Sequence, residues 1–88
     1  MATQAVCRLG DLAASPNTES SQNVFVNLKG VHRLRDKWKG HGRGKHRHPI
    51  TITASKTVFV NSKPVARVTD NTSCGHKIRT GSPNTFSG

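Results

Sequence analysis

The chain has 88 residues and a mass of 9.5 kDa, with 14 Lys and Arg against 4 Asp and Glu, a formal charge of +10 and 32% apolar residues. This length predicts a single domain over residues 1–88 and excludes a large enzyme with a deep cleft. No apolar run approaches the roughly 20 residues of a membrane span, and the first residues carry no secretory signal, which predicts synthesis in the cytoplasm. A chain this small usually needs a disulfide, a metal or a partner for stability.

A six-residue pattern, Val-x-Arg-(Leu or Val)-x-Asp, occurs three times, at residues 6–11, 31–36 and 65–70. Its alternation of apolar and polar residues is typical of a half-buried strand. Three occurrences in so short a chain indicate an internal repeat, and the search for a repeat comes before the assignment of single elements.

A second pattern lies at residues 21–29 and 55–63 and begins again at residues 82–86. Its centre is β-branched and aromatic, Val-Phe-Val at residues 24–26 and 58–60, which predicts short strands. An Asn-containing turn follows each of these strands. The two patterns together predict three strand–turn–strand hairpins, each ending at an Asp that begins a loop.

Isolated hairpins are unstable in water, so the three repeats are expected to close around a pseudo-threefold axis. In that arrangement Phe25, Phe59 and Phe86 would be buried against each other together with the neighbouring valines. The loops that follow the three Asp residues would emerge at the same end of the molecule: residues 12–20, 37–54 and 71–81. The predicted fold class is therefore all-β, with pseudo-threefold symmetry.

A metal site is predicted where these loops meet. His41 follows Asp36 by five residues and Cys74 follows Asp70 by four, so the symmetry would bring these two side chains together. Three imidazoles and one thiolate form a closed tetrahedral site that suits Zn²⁺ in a structural role. A disulfide is the alternative use of the cysteines, although a cytosolic origin favours a metal or free thiols. The further candidate donors are Cys7, His32, His46, His48 and His76.

Eight of the 14 cationic residues lie between residues 29 and 47, in and before the longest loop. Such a run indicates nucleic acid or an anionic membrane surface as a partner, or else a solvated loop that docks on an acidic protein. Trp38 is the only aromatic residue in this window, and no RNA-recognition or helix-turn-helix spacing is present. A small basic nucleic-acid-binding protein with a structural zinc site is thus the alternative function.

An enzyme is not predicted. A zinc hydrolase requires an open coordination position and a general base. Three of the four carboxylates belong to the repeats and are interpreted as structural: Asp11, Asp36 and Asp70, with Glu19 as the fourth.

Taken with Ser-Cys-Gly at residues 73–75 and Gly-Ser-Pro-Asn at residues 81–84, the repeats resemble the PAAR-repeat family over nearly the whole chain. The resemblance implies a small conical β protein with three hairpin repeats and a zinc ion near the vertex, held by three His and one Cys. The matching positions here are His32, His41, His48 and Cys74. His46 is the alternate for His48, and Cys7 is a weaker candidate.

The resemblance also implies a function as the structural tip of a contractile injection machine, either a phage tail or a type VI secretion system. One tip monomer would cap the trimeric β-helical central spike and sharpen it for piercing the cell envelope, with transient contact with the outer membrane and no nucleic acid. Its location would be the virion tail tip or a secreted spike, and the short chain without an effector domain favours a bare phage-type tip. The sequence departs from the family pattern at Arg35 and Thr69, which replace Gly, and at the turns Asn27-Leu28 and Asn61-Ser62, which replace Asn-Gly.

Overall fold

The computed structural model describes residues 4–88 and consists of very short strands joined by turns. In chain order the elements are β1 (Gln4–Ala5), β2 (Phe25–Val26), β3 (Lys29–Gly30), a single-turn 3-10 helix (Gly44–His46), β4 (Phe59–Val60), β5 (Lys63–Pro64) and β6 (Phe86–Ser87). No α-helix occurs within residues 4–88, and the all-β prediction is confirmed.

The strands form three equivalent antiparallel pairs. In the pair β2–β3, Phe25 lies opposite Gly30, and in β4–β5, Phe59 lies opposite Pro64. The third pair, β1–β6, joins the two ends of the chain and places Phe86 opposite Ala5 in the same register. The third hairpin, which begins at residue 82 in the sequence, is thus completed by the N-terminal strand.

The three repeats close into a ring through their second residues. The N–H of Cys7 donates to the carbonyl of Ala66, that of His32 to Cys7, and that of Ala66 to His32, each at 3.0 Å. Bridges Val6–Arg67, Arg8–Val31 and Arg33–Val65 flank this ring. The molecule measures 36 × 24 × 24 Å, with two equal short axes as expected for threefold symmetry about the long one. The pseudo-threefold prediction is confirmed.

The core consists of two layers on either side of this ring. One layer contains Val6, Val31 and Val65 and is packed against Val26 and Val60 of the hairpins. The other is packed against the loops that follow the repeats and contains Cys7, Ala13, Trp38, Ala66 and Ile78. The order along the molecule is therefore hairpins, valine layer, second layer and loops. These two ends are called the hairpin end and the loop end below.

The predicted half-buried strand does not form at the Val-x-Arg segments. Val31 and His32 are both buried, as are the corresponding pairs in the other repeats, because each segment passes close to the axis and is covered on both sides. The segment makes only isolated bridges there. Its apolar–polar alternation therefore belongs to a segment that runs close to the axis, not to a strand on a sheet surface.

The three phenylalanines point away from the core. Phe25, Phe59 and Phe86 are 58%, 57% and 49% exposed, so the expectation that they pack against each other is wrong. Successive side chains of a strand face opposite sides. Because Val26, Val60 and Ser87 face inward, the preceding phenylalanines face solvent.

The Arg and Asp of each repeat form one turn. In the second repeat the Asp36 N–H donates to the Arg33 carbonyl at 3.0 Å, and the Arg33 guanidinium donates to both carboxylate oxygens, at 2.8 and 3.1 Å. The other two repeats make the same contacts. The residue before each Asp has a positive φ, as the third position of a type II turn requires: +89° at Gly10, +68° at Arg35 and +80° at Thr69.

The hairpin turns are also left-handed, although they lack the usual glycine. Asn27 and Leu28 have φ of 54° and 65°, and Asn61 and Ser62 repeat these values, which is the type I′ geometry of two-residue hairpins. Leu28 is 97% exposed, so no packing compensates its strained backbone.

We expect Leu28→Gly to raise the free energy of unfolding by about 0.5–1 kcal/mol. The left-handed conformation costs a side-chain-bearing residue about 1–2 kcal/mol, which exceeds the entropic cost of a glycine of about 0.5–1 kcal/mol. Denaturant unfolding of both proteins measures the difference. Lys29→Gly, at the exposed neighbouring position without a positive φ, is the matched control and should destabilise the fold. A loss of stability in Leu28→Gly would contradict the interpretation.

Candidate metal centre

Four side chains converge at the loop end of the molecule. His41, His46, Cys74 and His76 place their donor atoms within 4.8 Å of one another. The Nε2 of His41 lies 3.0 Å from Nδ1 of His46 and 3.8 Å from Sγ of Cys74. These four residues are called the His₃Cys group below.

The loop after the second repeat brings His41 and His46 together by reversing direction. Lys37 pairs with Ile50 at its base, and the His41 N–H donates to the His46 carbonyl at 2.9 Å near its tip. Gly44, with φ +61°, begins the single 3-10 turn that makes this reversal possible.

A tight turn after the third repeat presents the other two donors. The Gly75 N–H donates to the Thr72 carbonyl at 3.1 Å, and the Thr72 N–H donates to the His76 carbonyl at 2.8 Å. Gly75 has φ +89°, which the turn requires. A bridge between Thr51 and Thr72 joins this turn to the preceding loop, and so both halves of the group are held together by the main chain.

The donor set fits a zinc ion. Bond lengths of about 2.0–2.1 Å to nitrogen and about 2.3 Å to sulfur place two tetrahedral nitrogens about 3.3 Å apart and a nitrogen and a sulfur about 3.6 Å apart. The observed 3.0 and 3.8 Å are close to these separations, and all pairs of the four donor atoms lie within 4.8 Å. Three imidazoles and one thiolate match the ligand preference of Zn²⁺, and four protein donors would complete a tetrahedral coordination.

The electrostatic surroundings favour the metal-binding form of His46. Its pKa is lowered by desolvation and by the neighbouring charges of His41, Lys45 and His76. A lower pKa keeps the imidazole neutral, which is the protonation state that coordinates a metal.

The group shares two members with the set expected from the sequence. His41 and Cys74 belong to it, and His46, the alternate, takes part where His48 was expected. His48 instead lies at a shallow pocket of about 150 Å³ together with Thr18 and Pro49. The fourth member is His76 where His32 was expected. The Gly-x-Gly at residues 42–44 was the sequence signal that could have identified His46 as a ligand. It indicates that the chain reverses direction after His41 and returns at His46.

His32 is fully buried and its two ring nitrogens are already engaged. Nδ1 lies 2.7 Å from the Glu19 carbonyl, which can only accept, so Nδ1 carries the proton. Nε2 therefore accepts the Thr51 hydroxyl at 2.7 Å, and Thr51 accepts the Trp38 indole N–H at 2.8 Å. This chain of hydrogen bonds gives His32 a structural position near the axis, away from the His₃Cys group. Burial lowers its pKa to about 4.

Cys7 is likewise enclosed at the axis. It is fully buried, and Asn17 Nδ2 lies 3.5 Å from its sulfur. Burial raises the pKa of the Cys7 thiol well above its usual range, which keeps the sulfur protonated. Cys7 and Cys74 are both free, so the alternative of a disulfide does not occur in this structure.

The fold and the site together define a class: a small pseudo-threefold β protein whose loops bring three histidines and one cysteine to one end. The chain belongs to the PAAR motif family, whose sequence profile matches residues 3–80. No helix among the described residues is long and apolar enough to cross a membrane.

Two curated proteins of Pseudomonas aeruginosa are similar to it. NAD(P)(+) glycohydrolase toxin Tse6 of strain PAO1 and (p)ppApp synthetase toxin Tas1 of strain UCBPP-PA14 are each 37% identical over 75 residues, covering 77% of this chain. The chain spans 17% of the length of either relative. The enzymatic activities in these names belong to much larger proteins, whereas the PAAR motif itself is structural.

Substitution of the histidines is expected to separate the two candidate ligand sets. His46→Ala and His76→Ala should each weaken zinc binding by about 100-fold, because four ligands share an apparent binding free energy of about 10–16 kcal/mol. His48→Ala, the matched control from the same loop, should leave affinity unchanged. Competition with a chromophoric chelator measures all three. Equal zinc affinity of His46→Ala and the parent protein would exclude the His₃Cys group as the site.

Protonation of His32 should destabilise the fold in acid. Its pKa is about 4 when folded against about 6.5 when unfolded, so between these values only the unfolded chain binds the proton. Stability present above pH 6.5 is therefore lost as the pH falls, on the order of 3 kcal/mol by pH 4.

The ring signals of His32 in NMR spectra should accordingly stay constant from pH 7.5 to 5. The free energy of unfolding should also be measured across this pH range for the parent protein and for His32→Gln. Both proteins retain the His₃Cys group, so the difference between them isolates the contribution of His32. Titration of the His32 ring near pH 6.5 would contradict this prediction.

Proposed function

We propose that the chain is a structural tip, a single PAAR domain that caps the trimeric β-helical central spike of a contractile injection machine and sharpens it for piercing the cell envelope. Proteins with the PAAR motif associate with the spike in type VI secretion. The similarity to two bacterial toxins supports placement on a secreted spike in preference to a phage tail tip.

The observation that carries this proposal is the closed ring of three repeats. A single chain whose main-chain bonds relate Cys7, His32 and Ala66 by threefold symmetry presents three similar faces. One copy of such a chain can therefore cap the end of a trimeric spike, because each of the three spike chains contacts an equivalent face of the tip. Short strands at that contact can be extended by strand addition, which also covers edges that would otherwise aggregate.

The hairpin end is the docking surface in this proposal. It carries the three exposed phenylalanines, one on each hairpin, together with Leu28. Exposed apolar residues in a symmetric set mark an interaction surface, and buried aromatic anchors contribute most of the free energy of binding at interfaces. The loop end then points away from the spike and toward the target cell.

A zinc ion bound by the His₃Cys group would stabilise the loop end. The loops there contain only one turn of 3-10 helix and isolated bridges. Zinc would cross-link the two loops, and its apparent binding free energy in small folds, about 10 kcal/mol or more, is comparable with the stability of a whole domain. The role of the metal is therefore structural.

Catalysis forms no part of the proposed function. Asp11, Asp36 and Asp70 are each paired with an arginine of their own repeat. Glu19, the remaining carboxylate, accepts the Lys37 main-chain N–H at 3.1 Å. Every carboxylate is thus engaged in the fold, and none is placed as a general base beside the His₃Cys group.

Native mass spectrometry of the zinc-loaded chain with a trimeric spike fragment should show one tip and one zinc ion per three spike chains. Phe25→Ser combined with Phe59→Ser should weaken this complex by about 100-fold, since two central apolar anchors are lost. Ile52→Ser is the matched control, because Ile52 is 51% exposed and its N–H bonds to Asn71 on the loop side. A complex with three tips per trimer, or equal weakening by the control, would contradict the proposal.

A further inference from the structure

The loop end carries a concentration of positive charge, and Glu19 is the acidic residue beside it. Its two long loops, residues 37–50 and 71–81, contain seven Lys and Arg and no Asp or Glu. All seven are exposed: Lys37, Lys39, Arg43, Lys45, Arg47, Lys77 and Arg79. None of them forms an ion pair with a residue of the part described by the structure. They are called the cationic tip below.

The cations of the two loops lie around one point because the His₃Cys group joins the loops. Lys45 Nζ lies 3.7 Å from the position that a Cβ on Gly75 would occupy, so the first loop touches the turn of the second. Three of the four acidic side chains are paired with arginines of the repeats, and Glu19, beside Lys37, offsets about one of the seven positive charges. The field of the cationic tip is therefore directed to solvent.

The two loops of the cationic tip expose no Phe, Tyr or Trp among the described residues that could insert into a bilayer or stack on a base. Within residues 4–88, no exposed large apolar residue lies in residues 37–50 or 71–81, although Ile52, on the loop side, follows the first of these segments by two residues. Trp38, the aromatic residue of the basic window, is buried in the core at 4% exposure. Recognition by this surface is therefore chiefly electrostatic. The lack of such aromatic platforms disfavours single-stranded nucleic acid as the partner.

We propose that the cationic tip binds the phosphate groups of anionic lipids at a membrane surface, before any penetration. This inference rests on the proposed function, in which the loop end faces the target. Each Lys or Arg near an anionic membrane contributes about fivefold in affinity, and the effect decays within a Debye length of about 10 Å at 0.1 M salt. The molecule is 36 Å long, so cations at the hairpin end contribute little when the tip is in contact.

Sedimentation with lipid vesicles tests the proposal on the zinc-loaded chain. It should bind vesicles of phosphatidylcholine and phosphatidylglycerol in a 7:3 ratio at 50 mM NaCl, release them as salt is raised, and ignore pure phosphatidylcholine. Arg43→Gln combined with Arg47→Gln should weaken binding by about 30-fold. The control, Lys29→Gln combined with Lys56→Gln, removes the same charge from exposed positions in and beside the hairpins and should weaken it by less than about threefold.

Equal weakening by the two variants would overturn the proposal, and so would tighter binding to a 20-base-pair DNA duplex than to the vesicles at the same salt and phosphate concentration. Zinc content of the variants must match that of the parent, which separates loss of charge from loss of the loop fold. The spike complex is measured with the same proteins. A chain that binds vesicles through Arg43 and Arg47 but ignores the spike would refute the proposed function alone, whereas the reverse result would refute this inference alone.

Discussion

Three main-chain hydrogen bonds around the axis are the interaction on which the rest of the structure depends. Each repeat donates from its second residue to the previous repeat and accepts from the next one, so no repeat is complete alone. The bonds enclose Cys7, His32 and Ala66, and they separate the valine layer from the layer beneath the loops. Strands of two residues could not form a stable sheet in isolation. Closure of the ring stabilises these short strands because each repeat is hydrogen-bonded to both of the others.

The Arg–Asp turns complete this arrangement and also distribute the charge of the molecule. Hydrogen bonds from Arg8 and Thr80 lower the pKa of Asp11 although its burial acts in the opposite direction. A buried ion pair of this type is tolerated because every polar atom has a partner, and within residues 4–88 no buried side-chain nitrogen or oxygen lacks one. Because the aspartates are held inside the repeats, the excess of positive charge is left to the loops.

The repeat structure could be predicted from the sequence because the same residue pattern occurs three times in it. Because His41 and Cys74 occupy nearly equivalent positions after the aspartates of their repeats, their proximity could be predicted from the spacing. The orientation of Phe25 could not be predicted in the same way, because a two-residue strand gives no periodicity that distinguishes its inner from its outer face. His32 was expected as a ligand because its position in the repeat matches one in the family, whereas here its two ring nitrogens bond to the Glu19 carbonyl and the Thr51 hydroxyl. The participation of His76 depends on the turn at Gly75, whose geometry the residue pattern does not define.

The pairing of β1 with β6 makes one of the three faces different from the other two. Two hairpins are covalently continuous, whereas the third is a junction of both chain ends, with Gln4 opposite Ser87. Any polypeptide joined to either terminus would extend from that junction. The three faces around the axis can therefore be told apart, although the domain is nearly threefold symmetric. The break in chain continuity is therefore confined to one of the three faces.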